Sequence, residues 1–170
     1  IDTGIESFST AETEAIEMVR RQVARCDQVD EIMDQLFENT LRICACERMG
    51  LAVIEPDGGR VVLRWTRAAY APMRWEAGWA EDVQKSALAS VVQRQQCRVI
   101  NDLPLYVRRH PDDESAGLLR EENACSMMVS PLIVAEEVVG LLFRSSYALN
   151  AFDKKQIQLQ SATAQPLAQA

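Results

Sequence analysis

The chain has 170 residues, 48% of them hydrophobic and 25% charged, an ordinary balance for one globular domain plus a flanking element. A net charge of −7 argues against a general nucleic-acid-binding surface. No apolar run reaches the roughly 20 residues that a membrane-spanning helix needs, and no signal peptide is visible.

The first residue is Ile1 rather than Met, so the sequence reads as an excerpt from something longer. Ser9-Thr10-Ala11-Glu12 has the spacing of a capping box and predicts a helix start. Beyond it Ile16, Val19, Val23 and Cys26 form a narrow apolar stripe at heptad-like intervals. Two readings stay open: a helix packed on its own domain, or a dimer seam and signalling helix leading in from upstream. Asp27 is the expected cap of a second helix, in which Ile32/Met33, Leu36/Phe37, Thr40/Leu41 and Ile43/Cys44 recur at about 3.6 residues. That helix is expected to run to Glu47–Arg48.

Met49 to Glu55 reads as a buried strand, Pro56-Asp57-Gly58-Gly59 as a turn, and Arg60 to Ala68 as the return strand. In that return strand Val61, Leu63 and Trp65 alternate with Val62, Arg64 and Thr66. Ala69 to Gly78, which holds Tyr70, Pro72 and Trp75, has no period and reads as a loop. A helix is expected from Glu81 to Arg94, a short strand from Cys97 to Ile100, and a loop from Tyr106 to Ala116. A single helical turn is expected at Leu118–Asn123. Ala151-Phe152-Asp153 opens a last helix that Pro166 ends or kinks.

The most informative stretch is Arg120 to Ser146. Two apolar runs flank a polar turn at Glu136-Glu137, and Pro131 inside the first run excludes a helix. Ser126, Met128, Ser130 and Leu132 alternate with Met127, Val129 and Pro131, and Val138 to Phe143 is continuously apolar, as in a strand covered on both faces. This hairpin, with Phe152 after it, resembles the closing hairpin of a GAF domain, a small-molecule-sensing regulatory module. Gly78-Trp79 ahead of a helix and Val99-Ile100-Asn101-Asp102-Leu103 as a strand-to-loop step extend the resemblance over about Asp27 to Ala164.

The resemblance implies an α+β, GAF-like (profilin-like) fold. A central antiparallel sheet of five to six strands would carry the terminal helices on one face and a ligand pocket with loops on the other. It divides the chain into a linker or signalling helix (1–26), a sensory domain (27–165) and a tail (166–170). It also implies a cytoplasmic domain of a two-component signalling protein such as a sensor histidine kinase. Such a domain would bind a small molecule, pair as a homodimer through its terminal helices and be joined covalently to an output domain.

By the same resemblance Trp75, Trp79 and Tyr106 are candidate pocket walls, with Asn101, Ser126, Arg144 and Ser145 as candidate polar contacts. Cyclic-nucleotide binders carry Asn-Lys, Phe and Asp-Glu where this chain has Ser145-Ser146, Phe152 and Gln156-Ile157, so cyclic nucleotide is not expected. Bilin is not expected either, because no Cys-His pair exists, and His110 reads as a solvated loop residue rather than a haem ligand. Relatives that reduce free methionine sulfoxide need a cysteine near Gly78, and Ala77-Gly78-Trp79-Ala80 has none.

Other catalytic signatures are missing from the sequence: no nucleophile elbow, no phosphate-cradling loop and no H-E-x-x-H. The five cysteines, Cys26, Cys44, Cys46, Cys97 and Cys125, suit a reducing compartment and read as core fillers or idle thiols. The expectation is a non-catalytic sensor. A ligand-free dimerisation spacer and a thiol-based redox sensor or enzyme using Cys97 or Cys125 are the rivals.

Overall fold

The computed structural model describes residues 8–25, 28–57, 59–70 and 73–168. The expected cap Asp27, and with it Cys26, Gly58 and Pro72, lies outside the described residues. Ser9 and Glu12 form the capping box: the Glu12 N–H donates to Ser9 Oγ at 3.2 Å and the Ser9 N–H to Glu12 Oε1 at 3.4 Å. They start α1 (Thr10–Arg25), and α2 (Val29–Thr40) follows. The expectation that α2 reaches Glu47–Arg48 is corrected. The Thr40 hydroxyl donates back to Leu36 O at 2.6 Å, Cys44 N–H closes on Thr40 O, and Arg48 already belongs to a strand.

The strands are β1 (Arg48–Ile54), β2 (Arg60–Ala68), β3 (Ala80–Asp82), β4 (Arg98–Ile100), β5 (Ser126–Val134) and β6 (Glu137–Ser146). Among the described residues these six form one sheet in the order β3-β2-β1-β6-β5-β4, every neighbouring pair antiparallel. The β5–β6 hairpin turns on Ala135 and Glu136, both at positive φ, one residue earlier than the sequence suggests. Between Leu51 and Ala52 the pairing with β2 slips, so Arg64 opposes no residue of β1. That bulge turns the strand over: Val61 and Leu63 enter one core and Trp65 enters the core on the other face.

Two further expectations are corrected. Instead of a helix from Glu81 to Arg94, Glu81 sits in β3 opposite Val61. Asp82 then caps a short 3-10 turn (Val83–Lys85), and only α3 (Leu88–Arg94) is helical. Edge pairing with β2 and the extended Ser86 (φ −130°, ψ 172°) override helix propensity there. The expected loop from Tyr106 to Ala116 instead holds the end of α4 (Leu103–Arg109) and the start of α5 (Glu114–Glu121). Asp102 and Asp113 cap these two helices through Leu105 N–H and Ala116 N–H.

α6 (Lys154–Ala168) closes the chain and accommodates Pro166 within its last turn. α1, α2 and α6 pack on one face of the sheet over Met49, Leu51, Trp65, Leu132 and Leu142. The segment around Trp75, with α3, α4 and α5, packs on the other over Ala52, Val61, Leu63, Met127, Leu141 and Phe143. The α+β architecture, with terminal helices opposite the loop-bearing face, is as expected.

Candidate functional site

The loop-bearing face is organised around a charge that the sequence does not advertise. Gly50 and Phe143 are cross-strand partners, and a Cβ at Gly50 would fall 2.2 Å from the Phe143 ring. Bare backbone there lets the ring lie across β1, where it stacks with Trp75 at 4.5 Å between centroids and 22° between planes. The guanidinium carbon of Arg48 lies 5.7 Å from the Trp75 ring centroid and 6.0 Å from that of Phe143.

Arg48 is fully buried and pairs through Nη1 with the equally buried carboxylate of Glu122, while its Nε–H donates to Thr66 Oγ1 at 3.1 Å. Glu122 gathers three more donors. Tyr70 O–H donates to Oε1 at 2.5 Å, and the backbone N–H groups of Arg74 and Trp75 donate to Oε2 at 2.7 and 2.9 Å. Burial pulls the Glu122 proton affinity up. The donors from Tyr70, Trp75 and Arg48 outweigh it and hold the carboxyl below the usual range. One side chain thus ties Tyr70, Arg74 and Trp75 to β1 and to the end of α5. The Tyr70 hydroxyl is pushed up, first by burial and then by the carboxylate it serves.

A second polar centre lies under α4 and α5. Asp113 accepts from Ala87 N–H at 2.9 Å, Tyr106 O–H at 2.7 Å and Ala116 N–H at 3.2 Å, and so joins the starts of α3 and α5 to α4. The Ser115 hydroxyl donates to Glu81 Oε1 at 2.8 Å and also sits 3.3 Å from Asp113 Oδ1. Burial, with Asp113 and Glu114 nearby, pushes Glu81 up to about 7. Glu81 borders an open cleft of about 490 Å³ that Arg60, Asp82, Lys85, Asp112 and Glu114 also line.

Of the residues singled out from sequence, Trp75 is central to the first site. Trp79 packs half-buried against the same cluster, and Tyr106 belongs to the second centre, with its ring stacked on His110 at 4.2 Å. The other four lie elsewhere. Asn101 Nδ2–H donates to Phe152 O at 3.1 Å, and its Oδ1 accepts from Phe152 N–H, fastening β4 to the entrance of α6. The Ser126 hydroxyl donates to Ala148 O at 2.7 Å. Ser145, buried, stands beside Arg48 in the sheet register.

Arg144 lies on the helix side, donating to Gln160 Oε1, Cys44 O and Thr40 Oγ1 at 2.8, 2.9 and 2.6 Å. Arg48, Glu122, Glu81 and Asp113 were missed. Arg48 and Glu122 are 74 residues apart and carry no local signature. Asp113 ahead of Glu114-Ser115-Ala116 was a legible helix cap.

Three of the thiols, those of Cys44, Cys46 and Cys97, are held in their protonated, weakly nucleophilic form by burial. Burial pushes Cys44 up to about 11 and raises Cys46 and Cys97. His110 is exposed, with Nδ1 3.0 Å from Tyr106 O. Among the described residues no group of three His, Cys, Asp or Glu side chains is placed to hold a metal ion, and no helix is long and apolar enough to cross a membrane.

A six-stranded antiparallel sheet with helices packed on it is the fold this chain shares with solved GAF domains. The chain belongs to the GAF domain family, whose model matches residues 26–170. Among solved structures it is similar to the GAF domain of a phosphoenolpyruvate-protein phosphotransferase from Coxiella burnetii (TM-score 0.75, 16% identity, 95% of this chain and 94% of that one). It is also similar to a phycocyanobilin-bound GAF domain from a cyanobacterial phytochrome (TM-score 0.73, 13% identity, 96% and 93%). A third similar structure is the free methionine-R-sulfoxide reductase of Neisseria meningitidis in complex with its substrate (TM-score 0.70, 16% identity, 97% and 92%). At these identities the likeness is one of fold. No curated protein sequence matches the chain.

Proposed function

We propose that this chain is a non-catalytic sensory domain that binds a small molecule on its loop-bearing face and passes the event to an attached output domain. The carrying observation is the Glu122 carboxylate, which accepts from Tyr70, Arg74 and Trp75 together and so holds all three across that face. Contacts gathered on one carboxylate can shift together when a ligand binds beside it.

The sheet supplies a route to the opposite face. Phe143 touches Trp75, and its neighbour Arg144 grips Thr40 of α2 and Gln160 of α6. A change in the Trp75–Phe143 stack therefore acts one residue away from α2 and from α6, and α6 is in turn paired with α1 through Lys155 and Glu12. The output domain in this reading is a sensor histidine kinase of the cytoplasm, joined through α1 or α6. The terminal helices, in the same reading, pair two copies. Bilin, haem and cyclic nucleotide are not the ligands proposed.

The test is a thermal-shift screen of small metabolites, followed by hydrogen exchange at the Arg74 and Trp75 amides. At least one compound is expected to raise Tm and slow exchange at both amides. If none stabilises the chain, the sensing reading fails. The thiol rival is disfavoured at Cys97, where burial raises the thiol, and its second candidate, Cys125, remains a free, partly exposed cysteine.

A further inference from the structure

Three buried hydrogen-bond donors on this face have no acceptor among the described residues, Nη2 of Arg48, Nε1 of Trp75 and Nε1 of Trp79, and the first two belong to the strapped site. Both side chains are buried, Arg48 at 0% and Trp75 at 2% exposure. Unpaired donors this deep are rare in folded proteins, because each forfeits its bonds to water. They are also neighbours, since the Arg48 guanidinium carbon lies 5.7 Å from the Trp75 ring centroid. An acceptor oxygen lodged between the two would serve both.

The charge around them selects its chemistry. The positive charge of Arg48 is already matched by Glu122, whose two oxygens accept from four donors. An anion added beside this neutral pair would bring an uncompensated buried charge, and desolvating it would cost more than two further hydrogen bonds return. A cation has no free acceptor on Glu122 to meet. A neutral group with a strong acceptor oxygen and no net charge satisfies both donors and leaves the ion pair intact. The Trp75 and Phe143 rings beside it suit a small apolar substituent.

We infer that the strapped site between Arg48 and Trp75 receives a neutral carbonyl oxygen, of an amide or similar small molecule, from Arg48 Nη2–H and Trp75 Nε1–H. The inference rests on the sensing reading above and names the ligand class for it. Selectivity follows from the same arithmetic. A carboxylate of the same size binds worse than the amide, because it competes with Glu122 for Arg48 instead of complementing the pair.

The test is an indole N–H titration of the chain labelled with ¹⁵N-tryptophan, which shows its three tryptophans by NMR. Acetamide and acetate are the probes, added at equal ionic strength. Acetamide is expected to move one indole resonance saturably to lower field, while acetate leaves it in place. Trp75→Phe, which keeps a ring against Phe143 but has no N–H, is expected to remove that resonance and the response. Trp79→Phe serves as the assignment control and is expected to keep both.

Three outcomes overturn the inference: a response to acetate equal to or greater than that to acetamide, no response to either, or magnetisation exchange with a bound water that acetamide does not displace. Because the probes are fixed, the result separates from the metabolite screen. A screen hit together with a silent Trp75 indole sinks the amide class and leaves sensing standing.

Discussion

Glu81 and Glu122 are both withdrawn from solvent, yet their proton affinities move in opposite directions. Glu122 collects two backbone N–H groups, a phenol and a guanidinium, and stays ionised. Glu81 has burial working against it, one hydroxyl donor, and the negative charges of Asp113 and Glu114 nearby, so its carboxyl rises from 4.5 to about 7. A carboxyl that holds its proton more tightly when folded stabilises the fold below its unfolded value. That contribution fades as pH climbs through the folded one. Glu81 therefore favours the native state below about pH 4.5 and loses its contribution between there and about 7. Glu81→Gln keeps an acceptor for Ser115 and cannot ionise. Urea midpoints taken across that window should fall with rising pH in the parent and stay flatter in the variant. Above pH 7 the variant should be the more stable by about 1–3 kcal/mol. Parallel curves would show that Glu81 does not titrate in this window.

At the scale of elements, β6 carries the two faces on adjacent residues, with Phe143 toward the strap and Arg144 toward the helices. Arg144 is 1% exposed and held by neutral acceptors from α2, the turn after it and α6. Gln160 also donates to Leu142 O at 3.0 Å. Gln160→Ala removes a hydrogen bond to a buried charge and orphans a strand carbonyl, and should cost about 2–4 kcal/mol in urea unfolding. A loss below about 1 kcal/mol would mean that water replaces the glutamine. The hairpins were legible because pattern and breakers agree: β2 alternates as far as Leu63, before the bulge sends Trp65 to the other face, and β5 contains a proline that no helix accepts. Between them, polarity misled. Tyr106 to Ala116 reads as loop from its charges, although Asp102, Pro104 and Asp113 are helix-start signals that the structure uses. Glu81 reads as helical until its pairing with β2 is known. The site was half legible. Aromatic residues announce a wall wherever they fall, so Trp75 could be picked out. A buried Arg48–Glu122 pair is a product of topology, and each partner alone reads as an ordinary surface charge.

At the scale of the whole molecule, the question is what the apolar stripe of α1 covers. Ile16 and Val19 are 5% and 1% exposed within the single chain. Val19 belongs to the core that also contains Met33, Leu36, Ala164 and Leu167, so the stripe is turned inward against α2 and α6. At the other end of the element, Glu12 is paired with Lys155 of α6 at 2.8 Å, which fixes the two helices side by side. A seam between copies would then have to use what α1 leaves outside, where Met18 is 42% exposed. The two surfaces make different demands on protein concentration. Val19→Asp buries a carboxylate among aliphatics and should cost about 3 kcal/mol or more, by an amount that does not change as the protein is diluted. A residue holding two copies together would show a loss that grows on dilution, because association stabilises by mass action. Thermal unfolding of Val19→Asp and parent over a wide concentration range decides between them. A concentration-dependent gap would turn the stripe outward, make α1 a shared strut rather than the domain's own third helix, and require the core beneath it to be repacked.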